Sequence, residues 1–379
     1  MKPKERSNLN QDPREICCVP KSFLSRYSAL GSPIATDPEE LRSFRATICS
    51  ILNYRNDERE FLDGVERNLS SLSSSQRKLL KNDWPARRRR YLSSFGSNYE
   101  FLLKLVSEDL DIFPAGRLKG DFSFEVPGAD AAKVRSALRQ FRREWSAQGA
   151  DERLAAFAPI LEGLSRFFPA PKGVRVLVPG CGLGRLPFEI ARLGFAVEGN
   201  EFSQLMFFCQ KFVFSRFEEA RIYPGLPFTV NLFDSEDPFL PCEVPDVDIF
   251  ERPLEMSMRS GDFLKEYAAD SGKWDSVVTC FFLDTGNNVL DYLECVHRLL
   301  RPGGVWLNCG PLLYHRSGIS NEVSIDLSLE EILFAAQKLG FKVKEIQPSA
   351  GLYCAEKNSM MDHLYKNAYF SAVKEGFTC

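Results

Sequence analysis

Gly180, Gly182 and Gly184 stand between an apolar, β-branched run at 174–178 and a helical pattern at 186–193, and Glu201 closes the next apolar run. Glycine is needed where backbone must pass close to a ligand, because any Cβ would fill that space. A carboxylate ending the following strand can accept from both hydroxyls of a ribose. The spacing therefore predicts a strand, a glycine turn, a helix and a second strand that together hold a nucleoside. Two further groups could act on whatever that ligand meets. Asp284 follows the dense apolar run WDSVVTCFFL at 274–283, and His315 ends GPLLYH after the apolar run at 305–308. Both fall at carboxyl ends of expected strands, where ligands bind in open α/β sheets. Capping the helix expected at 289–300 is the plainer role for Asp284, but five residues is a long reach for a cap.

A dinucleotide fingerprint needs a glycine at its sixth position, and Arg185 stands there. The turn reads Gly-x-Gly-x-Gly, the form typical of S-adenosylmethionine (SAM) methyltransferases, with Glu201 about 17 residues beyond its last glycine. A tight strand-to-helix connection with no ligand is the bland alternative. Gly261-Asp262-Phe263 follows a possible third strand at 254–258. In such a fold Asp262 would lie near the adenine amino group, with Phe263 against the base. A cap for a helix at 263–268 explains the same residues equally well.

These groups need a scaffold of alternating strands and helices. Helices are expected at 129–146, 151–168, 202–214, 289–300 and 328–339, and strands close the sheet at 305–308, 341–346 and 368–374. The fold class is α/β, a Rossmann-like seven-stranded sheet with an antiparallel edge pair. Gln140 and Arg143 share one edge of the 129–146 helix. Residues 216–253 carry six prolines and little periodicity, and read as an insertion near the substrate mouth without elements of its own. Residues 1–35 look loosely structured. Helical patterns at 37–52, 56–70, 76–95 and 97–113 suggest an all-helical N-terminal domain over 36–128, ahead of a catalytic domain at 129–379, with a glycine- and proline-rich boundary at 114–128. Four arginines at 87–90 suit a solvated helix face better than a nuclear signal or an RNA contact.

Composition sets bounds. Hydrophobic content of 44% and charged content of 26% suit a soluble globular chain of 379 residues. A net charge of −3 argues against binding driven by nucleic-acid phosphates. No apolar run approaches the ~18 residues of a membrane span, and the polar N-terminus lacks a secretory core. Cytoplasmic residence is expected, with the nucleus allowed. Eleven scattered cysteines without a CxxC look like reduced thiols, and three histidines are too sparse for a zinc site. No metal is expected.

The run from Gln140 to Tyr365 is similar to the carnosine N-methyltransferase family, SAM enzymes that methylate a histidine imidazole nitrogen in a small peptide. The resemblance is carried by LRQFRREW, VLVPGCGLGRL, GNEFS, GDF, WDSVVTCFFLDT, RPGGVWLNCGPLLYH and SMMDHLY, across the last two-thirds of the chain. It implies the class I SAM-methyltransferase fold and SAM as the cofactor. Gln140 and Arg143 would reach the methionine end of SAM, and Gly180 would let backbone approach it, with Gly182 and Gly184 completing the turn. Glu201 would hold the ribose, Asp262 and Phe263 the adenine, and Cys280 would lie under the cofactor. Asp284, His315 and Tyr365, with Tyr353 as a further candidate, would bind the imidazole-bearing substrate, and Asp284 would be catalytic. Carnosine, giving anserine, is the type substrate. A histidine within a protein, or a catalytically silent SAM-binding scaffold, are the alternatives. The implied partners include no membrane and no nucleic acid, and a homodimer is allowed. Two positions depart from the family: Cys181 replaces the more usual alanine, and His363 stands where a tyrosine is expected.

Overall fold

The computed structural model describes residues 46–376 apart from 49, 82, 111–127, 216–218, 252 and 356–357. The expectations for 1–35, for the start of the first helix, and for the boundary up to 127 lie outside the described residues. The described chain forms two compact units, divided between Arg135 and Ser136.

In the first unit, α1 (Tyr54–Ser70), the short α2 (Ser74–Arg77) and α3 (Trp84–Leu110) precede α4 (Gly128–Trp145), within which the division falls. The two helices expected at 76–95 and 97–113 are a single helix from Trp84. Gly96 costs helix propensity, but Tyr91, Phe95, Phe101, Leu102 and Leu105 keep one apolar face continuous past it. Asn98 Nδ2 donates to the buried Tyr54 hydroxyl at 2.9 Å, and Arg135 pairs Asp57 at 2.7 Å.

The second unit is built on a sheet of seven strands: β1 (Arg175–Pro179), β2 (Ala196–Glu201), β5 (Met256–Ser260), β6 (Trp274–Cys280), β7 (Leu300–Gly310), β8 (Phe341–Leu352) and β9 (Leu364–Lys374). Its order is β5-β2-β1-β6-β7-β9-β8, parallel throughout except that β9 runs antiparallel to β7 and β8. This is the class I SAM-methyltransferase arrangement. Successive side chains on the central strands enter different cores. Leu177, Val277 and Trp306 join one with α9 (Val289–Leu299) and α10 (Leu329–Lys338). Val176, Val178, Val278 and Leu307 join the other with α5 (Ala150–Phe167) and α6 (Arg185–Arg192). The strand order reverses between β1 and β6, which opens a crevice at their carboxyl ends.

Trp306 carries much of the first core. It is fully buried, its Nε1 donates to Thr279 Oγ1 at 2.9 Å, and its ring meets Phe341 and Phe370 edges. Trp306→Ala is expected to lower unfolding free energy by about 3–5 kcal/mol, read as a lower urea midpoint at unchanged slope.

The 216–253 insertion corrects the expectation that it lacks elements. β3 (Ala220–Ile222) and β4 (Cys242–Val244) pair antiparallel into a two-stranded sheet, followed by Asp246, which pairs Arg153 of α5 at 2.7 Å and Arg185 of α6 at 2.5 Å. Three-residue strands are too short for alternation to be visible in sequence. The insertion meets the β8–β9 loop: Leu232 bridges Ser359, and Met360 N donates to Asn231 O at 2.8 Å. Among the described residues no helix is long and apolar enough to cross a membrane.

Candidate active site

The glycine turn leaves β1 at Pro179 and enters α6 at Arg185. All three glycines have positive φ. Gly182, at φ +56°, also has no room: a Cβ there would stand 2.9 Å from a Glu144 carboxylate oxygen. A Cβ on Gly180 would stand 2.3 Å from the Phe282 ring, so this glycine answers to a packed aromatic as well as to any ligand.

Three amides at the turn are engaged by carboxylates, while Cys181 N and Gly184 N donate to the carbonyls of Asn200 and Cys181. Gly182 N donates to Glu201 Oε2 at 2.8 Å, while Leu183 N and Arg185 N donate to Glu144 Oε2 at 3.1 and 3.4 Å. Ser203 N donates to the other Glu201 oxygen at 2.8 Å, locking that side chain across two turns. Burial pushes Glu144 up to about 7, against the pull of Arg143 and the Arg185 and Leu183 amides. Burial also raises Glu201, opposed by the Ser203 and Gly182 amides. A dinucleotide's pyrophosphate normally sits on such a helix N-terminus. Here it would meet two carboxylates, at about 4 kcal/mol for each charge pair near 4 Å. The turn suits a ribose or a cation, and rejects a phosphate.

Gln140 and Arg143 rise from the last turns of α4. Trp145 fixes that end: it is fully buried, and its Nε1 donates to Leu183 O in the glycine turn at 3.0 Å. The Arg143 guanidinium is buried against the rings of Phe281 and Tyr353, 5.0 and 4.8 Å from their centres. Its carboxylate neighbours stand back, Glu152 at 3.8 Å and Glu144 at 3.9 Å. Arg143 Nε and Gln140 Oε1 are both buried without a hydrogen bond among the described residues. Burial works against the Arg143 charge, Tyr353 and Glu144 support it, and the net direction is upward. A buried, permanently charged fork with an idle N–H is a receptor for a carboxylate.

The loop after β8 brings Tyr353 to this fork. Arg142 donates to Ala355 O, and Glu152 accepts from Cys354 N at 2.7 Å and Ala355 N at 2.9 Å. Tyr353 stacks on Phe281 at 5.2 Å, and Tyr365 meets both rings edge-on at 6.2 and 5.9 Å. Burial raises Tyr353 to about 12, with Arg143 and the Gln140 side chain pulling the other way. Phe281 holds φ +52°, a costly conformation for a bulky residue, immediately after Cys280 ends β6. Cys280 is half-buried with its thiol pushed up by burial.

Three residues past Phe281, Asp284 is buried at 2% exposure. Its Oδ2 accepts from Leu313 N at 2.8 Å, its carbonyl accepts from His315 N at 3.0 Å, and Oδ1 accepts nothing from the described residues. The cap of α9 is Asn288, whose side chain accepts from Leu290 N, so Asp284 is free of that duty. The His315 ring is exposed. Asp262 does cap the short α8 (Phe263–Glu266), accepting from Lys265 N at 3.0 Å, and Phe263 is packed against Phe282 and Tyr292. His363 is exposed, and its carbonyl accepts from Tyr353 N at 3.1 Å.

Gln140, Arg143, the glycine turn, Glu201, Cys280, Tyr353 and Tyr365 thus converge at the carboxyl edge of β1 and β6, and Asp284 pairs with the His315 loop beside them. Glu144 and Phe281 belong to the same cluster and escaped the reading of the sequence. Glu144 reads there as one more charge in a polar helix, and Phe281 as core. Gly182→Ala is expected to weaken binding of S-adenosylhomocysteine about tenfold or more, because the new methyl displaces Glu144 and strains φ; calorimetry reads it.

A family model described as carnosine N-methyltransferase matches residues 121–376. The carnosine N-methyltransferase of Rattus norvegicus is 36% identical over 93% of this chain and 92% of its own length. That of Dictyostelium discoideum is 32% identical over 88% of this chain and 77% of its own. Among solved structures, magnesium protoporphyrin IX methyltransferase from Synechocystis PCC 6803 with bound SAM aligns at 14% identity and a TM-score of 0.40, over 64% of this chain and 96% of that one. On the extent of these sequence matches, the chain belongs to the carnosine N-methyltransferase family.

Proposed function

We propose that this chain transfers a methyl group from SAM to an imidazole nitrogen of histidine in a small peptide of the carnosine type. The observation that carries the cofactor half is Arg143, a buried guanidinium against two rings with an N–H that no acceptor among the described residues meets. The methionine carboxylate of SAM supplies that acceptor, and the unpaired Gln140 oxygen beside it suits the ammonium. Glu201, already fixed by two amides, retains lone pairs for ribose hydroxyls. Asp262 and Phe263 serve the adenine, although Asp262 is also a cap and Phe263 presents little surface. Cys280 forms part of the cofactor floor.

When bound, SAM supplies a methyl carbon on a sulfonium, electrophilic enough that the protein need not generate a strong base. The tasks left to side chains are proximity and choice of nitrogen. Asp284 performs the second. Its free Oδ1 accepts one ring N–H, which fixes the tautomer and leaves the other nitrogen's lone pair exposed. The same carboxylate stabilises the positive charge that develops on the ring. Tyr353, Tyr365 and Phe281 offer π faces to that charge, and His315 contributes from the adjoining loop. Free imidazole has a pKa near ~6.5, so much of the substrate is uncharged at neutral pH.

One observation favours a second acceptor, histidine within a polypeptide. Val230, Phe233, Met360, Met361 and Leu364 are exposed where the insertion meets the β8–β9 loop, next to Tyr365. A longer chain could lie across this apolar rim. Incubation with SAM and either carnosine or a cell extract, followed by mass spectrometry, tests both readings. A 3-methyl or 1-methyl product from the dipeptide supports the first, methylated protein alone supports the second, and no product from either sinks both.

A further inference from the structure

We infer that Glu144 is a positioning residue for the cofactor: its carboxylate holds the glycine turn in its binding shape and joins that turn to Arg143. The inference rests on the proposed function and adds to it a residue outside the expected set. Glu144 stands in the last turn of α4, 36 to 40 residues ahead of the glycine turn in sequence, yet its side chain is almost wholly buried beneath it. One oxygen accepts from the amides of Leu183 and Arg185. The other faces the space where only Gly182 leaves room, and lies 3.9 Å from Arg143 Nη1. The neighbouring contacts repeat the same link. Glu144 O accepts from Arg185 Nη1 at 2.9 Å, and Trp145 Nε1 donates to Leu183 O. The glycine turn is therefore shaped from α4, the helix that also presents Gln140 and Arg143.

A single carboxylate oxygen that accepts two amides does so best when ionised. Protonation puts a donor among donors and loosens the turn. The groups facing Glu144 are the Arg143 guanidinium from its own helix, the Leu183 and Arg185 amides from the turn, and the Glu201 carboxylate from β2. The Cys181, Cys209 and Cys280 thiols and the Tyr353 hydroxyl also sense its charge. All four are raised, so they stay neutral near pH 7, and a Glu144→Gln variant separates the titration of Glu144 from that of Glu201, which burial also raises. Its ionised form is the binding form, so affinity rises with pH through about 7.

The test compares wild type, Glu144→Ala and Glu144→Gln in two measurements. The first is hydrogen exchange at the Leu183 and Arg185 amides without ligand; the second is calorimetric affinity for S-adenosylhomocysteine from pH 6 to 8. Alanine is expected to speed exchange at both amides and to weaken binding about tenfold or more. Glutamine keeps a carbonyl acceptor and so retains slow exchange and the fold, but its affinity becomes flat with pH while the wild type's falls several-fold below about pH 7. Glutamine binding as tightly as wild type with the same pH slope overturns the role of Glu144, as does unchanged exchange in the alanine variant. Should alanine fail to fold, the glutamine pH profile decides alone. Failure of the wild type itself to bind S-adenosylhomocysteine overturns the proposed function and this inference with it, whereas a binding wild type with indifferent variants overturns only the inference.

Discussion

Asp284→Ala lowers kcat about 10²–10³-fold while SAM affinity stays within a few-fold of wild type; this is the outcome the proposed chemistry demands. The carboxylate lies at 2% exposure with one oxygen uncommitted, at the end of a central strand and beside the loop that bears His315. Losing an aligned group that stabilises charge developing in the transition state costs about 10²–10³ in kcat. Asp284→Asn separates charge from shape. It still offers Leu313 N an acceptor, but a neutral amide cannot balance a ring becoming cationic, so its kcat should fall nearly as far. Single-turnover rates with carnosine, beside calorimetric titration with SAM, make the measurement. A collapse of SAM binding in Asp284→Asn would place this residue in the cofactor site and refute its assignment to the acceptor.

Arg143→Ala has the complementary signature, loss of SAM binding itself. Removing one partner of a buried charged contact costs about 2–5 kcal/mol, which converts to roughly thirtyfold or more in affinity. Arg143→Lys should rescue little. A lysine carries the charge but neither the planar fork nor the flat face that lies against Phe281 and Tyr353. Binding of SAM within about threefold of wild type by Arg143→Ala would remove the central support of the cofactor reading.

The parts of this site that lie close together in the chain were legible from the sequence. Arg175 to Glu201 is one strand–turn–helix–strand unit, and its spacing alone separates it from a dinucleotide turn. The run 274–283 marks a strand covered on both faces, and β6 occupies Trp274–Cys280 within it. What remained hidden depends on distant pairs. Nothing near Glu144 signals that a carboxylate forty residues upstream will seat under Gly182. Strand ends were also missed. β8 and β9 run to Leu352 and Leu364, well beyond 341–346 and ahead of 368, because their polar outer portions lack the apolar alternation that pattern reading follows. That extra length is what delivers Tyr353 and Tyr365 to Phe281.

In a loop pinned by Arg142 and Glu152, Tyr353 meets the Arg143 fork and the Phe281 and Tyr365 rings, and Phe281 meets the fork as well. On the proposed reading one pair of stacked rings is a wall common to donor and acceptor: the face that supports the fork for the donor's carboxylate continues into the aromatic group that meets the acceptor. A change to either ring should therefore disturb both ligands together.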